Sequence, residues 1–232
     1  MTADQALIRS GANSLPVSVH ATADHFGIKI VDYSTFSRVY DISRLELCLT
    51  ASCGGFSLMT EGRFVCVLNT ALCHQPRRKW TAAHEIGHVL CGHIIGEKFR
   101  PTYEQEQEAD RFAAALLAPL TVLHFCGVSS AAEIERLCGI SRQAAELRFR
   151  ELTQMRRQQE DIYRARLRTD VLLSADEIPE FTLPESLFLR HESDRELFLN
   201  FSPFISSYIS RRSAHDGYEQ YLIRKKRQPM AI

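Results

Sequence analysis

Three side chains in the stretch Thr81-Ala82-Ala83-His84-Glu85-Ile86-Gly87-His88 are suited to metal chemistry. Histidines four apart on a helix stand one above the other, with Cβ atoms roughly 5–6 Å apart. His84 and His88 can therefore each offer one ring nitrogen to a single ion. Glu85 follows the first of them by one position. It points beside such an ion rather than at it, where a general base belongs. Two protein ligands leave a metal under-coordinated. A catalytic zinc site takes three and keeps a fourth position open, so the sequence must supply one more.

The segment from Glu104 to Pro119 reads as a second helix and supplies it. Glu106 and Asp110 are four apart and share a face with Ala113 and Leu117. Glu106 offers a carboxylate to the ion. Asp110, one turn on, can accept the outer ring N–H of a ligand histidine and fix its tautomer. Glu108 and Glu104 compete for the third position, each about 200° around the helix from Glu106. Glu106 is preferred because Asp110 follows it at i+4. Two histidines and a glutamate with an open position make the ligand set of a zinc hydrolase. In that chemistry zinc activates a bound water and polarises a carbonyl. Glu85 takes the water's proton and passes it to the leaving amine.

These motifs, with Glu106-x-x-Ala109-Asp110-x-Phe112-Ala113-x-x-Leu116-Leu117-x-Pro119, resemble the ImmA/IrrE metallo-endopeptidases. Upstream, Leu15-Pro16-Val17, Phe26-Gly27-Ile28, Asn69 and Arg77-Arg78 match as well. The resemblance covers about residues 5–155. It departs at Asp110, where the family often has Asn, and at Ala118, where it often has Met. Neither change removes a ligand. The resemblance implies a zincin-like catalytic unit and cleavage of a regulatory protein, such as a helix-turn-helix repressor of a mobile element or stress response. Cleavage would switch on transcription.

Composition narrows the alternatives. Of 232 residues, 45% are hydrophobic and 24% charged, an ordinary balance for a globular protein. Formal net charge is zero, so the molecule as a whole is not an electrostatic binder of nucleic acid or membrane. The first residues lack the basic and apolar regions of a signal peptide. The seven cysteines form no disulfide framework. Reduced thiols in a cytoplasmic protein account for them.

The expected fold is α+β. A catalytic unit over residues 1–127 would hold a small antiparallel sheet and the two ligand-bearing helices. A helix-turn-helix-like segment over 128–155 and a mostly helical extension over 156–232 would follow. Within the first unit, residues 3–12 and Pro16–Phe26 read as helices and Ile28–Tyr33 as a strand. Residues 34–52 read as loop with a possible short helix. Phe56–Thr60 and Arg63–Asn69 form a hairpin around Glu61-Gly62. The strand beside the ligand helix would be either structural or an edge for an extended substrate peptide. The basic run Pro76–Lys79 reads as solvated surface before a helix spanning about Lys79–Ile95.

Beyond Pro119, Ser130-x-x-Glu133 is a capping box opening a helix to Cys138. Gly139-Ile140-Ser141 turns into a long helix from Arg142. Arg142 and Gln143 at its start are candidate base contacts, weighed against Glu146 and Glu151 on the same helix and the neutral net charge. Ser174-x-x-Glu177 and Ser193-x-x-Glu196 are further caps. Leu197–Phe201 with Phe204-Ile205 is apolar surface for docking on the catalytic unit. Tyr103, His93 and His124 are candidates for steadying an oxyanion. His93, nine positions past His84, falls on the opposite helix face. Cys91 shares the ligand face, as a core residue or a competing thiolate, and Cys53 or Cys73 could block the open zinc position. Two rivals remain: a DNA-binding regulator with a non-catalytic metal site, and a toxin–antitoxin-type binding protein.

Overall fold

The computed structural model describes residues 1–43, 45–47, 54–71, 74–94, 100–171 and 188–227, with the side chains of 166–171 and 215–227 outside the description. In chain order the elements are α1 (Ala3–Arg9), α2 (Val19–His25), β1 (Lys29–Asp32), α3 (Tyr33–Tyr40), β2 (Gly55–Thr60) and β3 (Arg63–Leu68). Then come α4 (Gln75–Leu90), α5 (Tyr103–Leu117), α6 (Leu120–Phe125), α7 (Ala131–Cys138), α8 (Arg142–Val171) and α9 (Glu192–Arg227). The expected α+β composition is present. Among the described residues no helix is long and apolar enough to cross a membrane.

The sheet has the order β1-β3-β2, with β1 and β3 parallel and β2 and β3 antiparallel. It is mixed, not antiparallel as expected. Two strands joined by a tight turn must run antiparallel, but β1 reaches β3 only through α3 and β2 and can enter in either sense. The hairpin closes at Glu61 (φ 51°) and Gly62 (φ 70°), both left-handed, as a two-residue turn matched to strand twist requires. Side chains alternate across β3. Cys66 and Leu68 enter the main core, while Val65 and Val67 join Tyr33, Phe36 and Leu47 on the opposite face.

Several helix limits differ from the sequence expectation for local reasons. α2 starts at Val19 because the Ser18 hydroxyl accepts the Ala21 N–H; Pro16 stays outside. Tyr33 opens α3 instead of ending a strand, since the Asp32 carboxylate caps the N–H groups of Ser34 and Thr35. Those hydrogen bonds, led by the Ser34 hydroxyl, hold the Asp32 carboxyl down at about 2. α4 starts at Gln75, with Pro76 in its first turn. The basic run is therefore helical. Arg77 and Arg78 are exposed as expected, but Lys79 is half-buried and its Nζ donates to the Cys138 carbonyl at 2.6 Å, tying α7 to α4. Ser193 does not cap α9, which already begins at Glu192. The Ser174 candidate cap lies outside the described residues.

One main core collects side chains from α1, α2, α4, α5, α6, α7, α8 and α9. Leu197, Phe201 and Ile205 of α9 are buried in it, and α9 packs on α1 and α6. Pro203 lies inside α9 and cannot donate to the Leu199 carbonyl. The Ser202 hydroxyl donates to that carbonyl instead, at 2.8 Å. α7 and α8 pack together across Gly139–Ser141, with Gly139 left-handed (φ 63°) as the C-cap of α7.

Candidate metal centre

α4 and α5 lie side by side because Gly87 leaves no Cβ between them. A Cβ built there would stand 3.1 Å from the Phe112 ring and 3.3 Å from Ala109 Cα. This close approach carries the α5 carboxylates to the α4 imidazoles. His84 Nε2 and His88 Nε2 are 3.0 Å apart. Glu106 Oε2 is 3.3 Å from His84 Nε2, and Glu106 Oε1 is 3.7 Å from His88 Nε2. Bonds of about 2.0–2.1 Å to a tetrahedral ion imply ligand separations of roughly 3.3–3.4 Å. The three donors thus fit a zinc-type ion in both spacing and chemistry.

The outer ring nitrogens are also held. His84 Nδ1 meets Asp110 Oδ1 at 2.9 Å. His88 Nδ1 meets His93 Nδ1 at 3.0 Å, and His93 Nε2 meets Glu108 Oε2 at 3.2 Å. Such partners orient a ligating histidine and fix which nitrogen is bare. His88 is buried, and burial, with His84 and His93 nearby, lowers its pKa to about 3. It is neutral at ordinary pH, the form that ligates a metal.

Glu85 is not one of these three donors; it lies near His84 and Glu106 and reaches the sheet. Ser57 on β2 donates to its Oε2 at 2.6 Å. The carboxyl is buried, and desolvation raises its pKa against the lowering effect of the Ser57 hydrogen bond. β2 comes this close because Gly55 has no side chain: a Cβ there would stand 2.9 Å from both Thr81 Cγ2 and the Val67 carbonyl.

The structure thus brings together His84, His88, Glu106, Asp110 and Glu85, while Glu108 faces His93. The sequence reading misses Ser57 and misplaces His93. α4 ends at Leu90, and Gly92 (φ 78°) turns the chain back so that the His93 N–H donates to the His88 carbonyl at 2.9 Å. His93 therefore sits against His88, not on an opposite helix face. Gly92 was the signal, because a glycine just past a histidine-bearing last turn marks a helix end. Cys91 is displaced by the same turn. It caps the helix, half-buried at the edge of the core, with its Sγ 3.8 Å from the Met1 carbonyl, rather than fully buried beneath the ligands. Tyr103 is 75% exposed at the first position of α5. The His124 ring is engaged elsewhere, stacked 3.6 Å from Phe188 and accepting from Arg156 Nε at 3.1 Å. Arg142 is exposed and paired with its own Glu146 at 3.1 Å. Cys53 and Cys73 lie outside the described residues.

The family model of the IrrE N-terminal-like domain, a peptidase family, matches residues 54–150. Over these residues the chain matches the ImmA/IrrE metallopeptidase family. The matched span begins just before β2, contains every residue of the metal centre and runs into α8. No curated protein matches the chain. The ImmA/IrrE family is metal-dependent as a class, and His84, His88 and Glu106 are one group of described residues placed so that they could hold an ion.

Proposed function

We propose that the chain is a zinc-dependent endopeptidase whose ligands are His84, His88 and Glu106. The observation that carries this reading is the convergence of two imidazole nitrogens and one carboxylate, each imidazole oriented from behind, beside a buried glutamate that is not one of the donors. Zinc bound there supplies a Lewis acid for a scissile carbonyl and makes water acidic enough to act as a nucleophile near neutral pH. Glu85 accepts the proton from the attacking water and returns it to the leaving amine. Ser57 aims the Glu85 carboxylate, and Asp110 holds the His84 ring. Among the described residues β2 is an edge strand of the sheet and packs on α4, so an extended peptide can add to it next to the reacting groups.

The substrate we favour is a repressor-type regulatory protein, and the outcome of cleavage is relief of repression. The family membership supports this reading. A DNA-binding regulator with a non-catalytic metal site is the second reading. It draws on the α7–turn–α8 unit, but Glu85 has no purpose in it. Elemental analysis and a cleavage assay on a helix-turn-helix repressor separate the two. Wild type and Glu85→Gln should each carry about one zinc at these three ligands, and only wild type should cleave. His88→Ala should lose cleavage and the zinc of this site. Folded wild type that takes up no zinc on reconstitution would overturn the peptidase reading.

A further inference from the structure

A second group of donors stands behind the first. Cys91, His93 and Glu108 offer a thiol sulfur, an imidazole nitrogen and a carboxylate oxygen, all within 4.8 Å of one another. Thiolate, imidazole and carboxylate together suit a borderline ion such as zinc. Ligand separations around such an ion are roughly 3.3–3.8 Å, so the group must contract by about 1 Å at its widest. The Glu108 side chain is 55% exposed and free to make that movement. Cys91 and His93 flank Gly92, so one short turn presents two of the three donors.

The two groups are joined by the hydrogen bond between His88 Nδ1 and His93 Nδ1, and only one proton can lie in it. When His88 Nε2 is bare for the first ion, His88 Nδ1 carries the hydrogen and donates to His93. His93 must then carry its own hydrogen on Nε2, where it donates to Glu108. An ion on His93 Nε2 reverses the order. His93 Nδ1 becomes the donor, His88 Nδ1 the acceptor, and the remaining hydrogen of His88 moves to Nε2, facing Glu106.

We propose that Cys91, His93 and Glu108 form a second, regulatory zinc site whose occupation weakens the His84–His88–Glu106 site through the His88–His93 hydrogen bond. This rests on the reading of the first site given above. Excess zinc would then switch the molecule off by displacing a proton, with no need to enter the catalytic cleft.

The test is a titration of the full chain with Zn²⁺ against a chromophoric chelator, repeated with Co²⁺ to detect a thiolate-to-cobalt absorption band. Wild type should bind two equivalents, with the first at least tenfold weaker once the second is loaded. That coupling must be reciprocal. Cys91→Ser should keep the first equivalent at its original affinity and lose both the second equivalent and the thiolate band. His84→Ala should lose the first and keep the Cys91-dependent one. A single equivalent at saturation, a second equivalent that survives Cys91→Ser, or two equivalents that fill independently would each overturn the proposal. Two equivalents that both persist in His84→Ala would instead sink the reading of the first site, so the two failures are distinguishable.

Discussion

Asp110 decides how well His84 can serve a metal, because its carboxylate fixes the ring from 2.9 Å away. Loss of such a partner typically costs 10–100-fold in metal affinity. Asp110→Ala should show a loss of that size in a chelator competition. Asp110→Asn keeps an oxygen acceptor and should stay within a few-fold of wild type. The residues of the first group were legible in sequence because a helix repeats every 3.6 residues, and that period converts spacing into direction. Ser57 was not legible. Nothing in a strand's alternation says which inward position faces a particular carboxylate on a neighbouring helix.

At the level of elements, two glycines set the geometry. Gly87 holds α4 and α5 at contact distance, and Gly55 lets β2 reach α4. Gly87→Ala must push Phe112 and the Ala109 backbone away by a few tenths of an ångström. Overpacking of this kind costs about 1–3 kcal/mol. Glu106 should move off the histidines with α5, so metal affinity should fall while the helical circular dichroism remains. A variant that binds metal as tightly as wild type would show that α5 tolerates the shift. Element types were readable from caps and turn residues, such as Ser130 before α7 and Glu61-Gly62 in the hairpin. Strand direction was not. It depends on how β1 enters beside β3, and no local signal encodes that. The end of α4 was readable only by weighing Gly92 above the apolar run that follows it.

For the whole molecule, α9 is part of the core and not an appendage. Phe201 is fully buried, and Phe201→Ala should cost about 3–5 kcal/mol. Thermal unfolding would reveal it as a large drop in Tm, whereas a docked, independent segment would leave Tm unchanged. Acid should weaken the fold as well. Burial, with Arg156 beside it, lowers the His124 pKa to about 4 from an ordinary 6.5. The native ring is neutral and accepts from Arg156, so between those values the unfolded chain holds a proton that the native state refuses. Stability is therefore intact above pH 6.5 and falls as the pH drops toward 4, by up to about 1.4 kcal/mol per pH unit for this one group. His124→Asn keeps an acceptor that does not titrate. Urea unfolding at several pH values should show a shallower slope for it.

The contact of α9 with α1 also has a consequence in time. Asn200 Nδ2 donates to the Ile8 carbonyl across 192 positions of sequence. At about 5–20 residues per second, ribosomal synthesis takes roughly 10–40 s to travel between them. Throughout that interval Leu7 has no α9 to lie against. The donors for the metal, all made by residue 110, emerge long before the last wall of the core behind them. A nascent chain therefore meets metal ions with its candidate ligands already out and its packing unfinished. Its first encounter with the ion takes place in an incomplete protein.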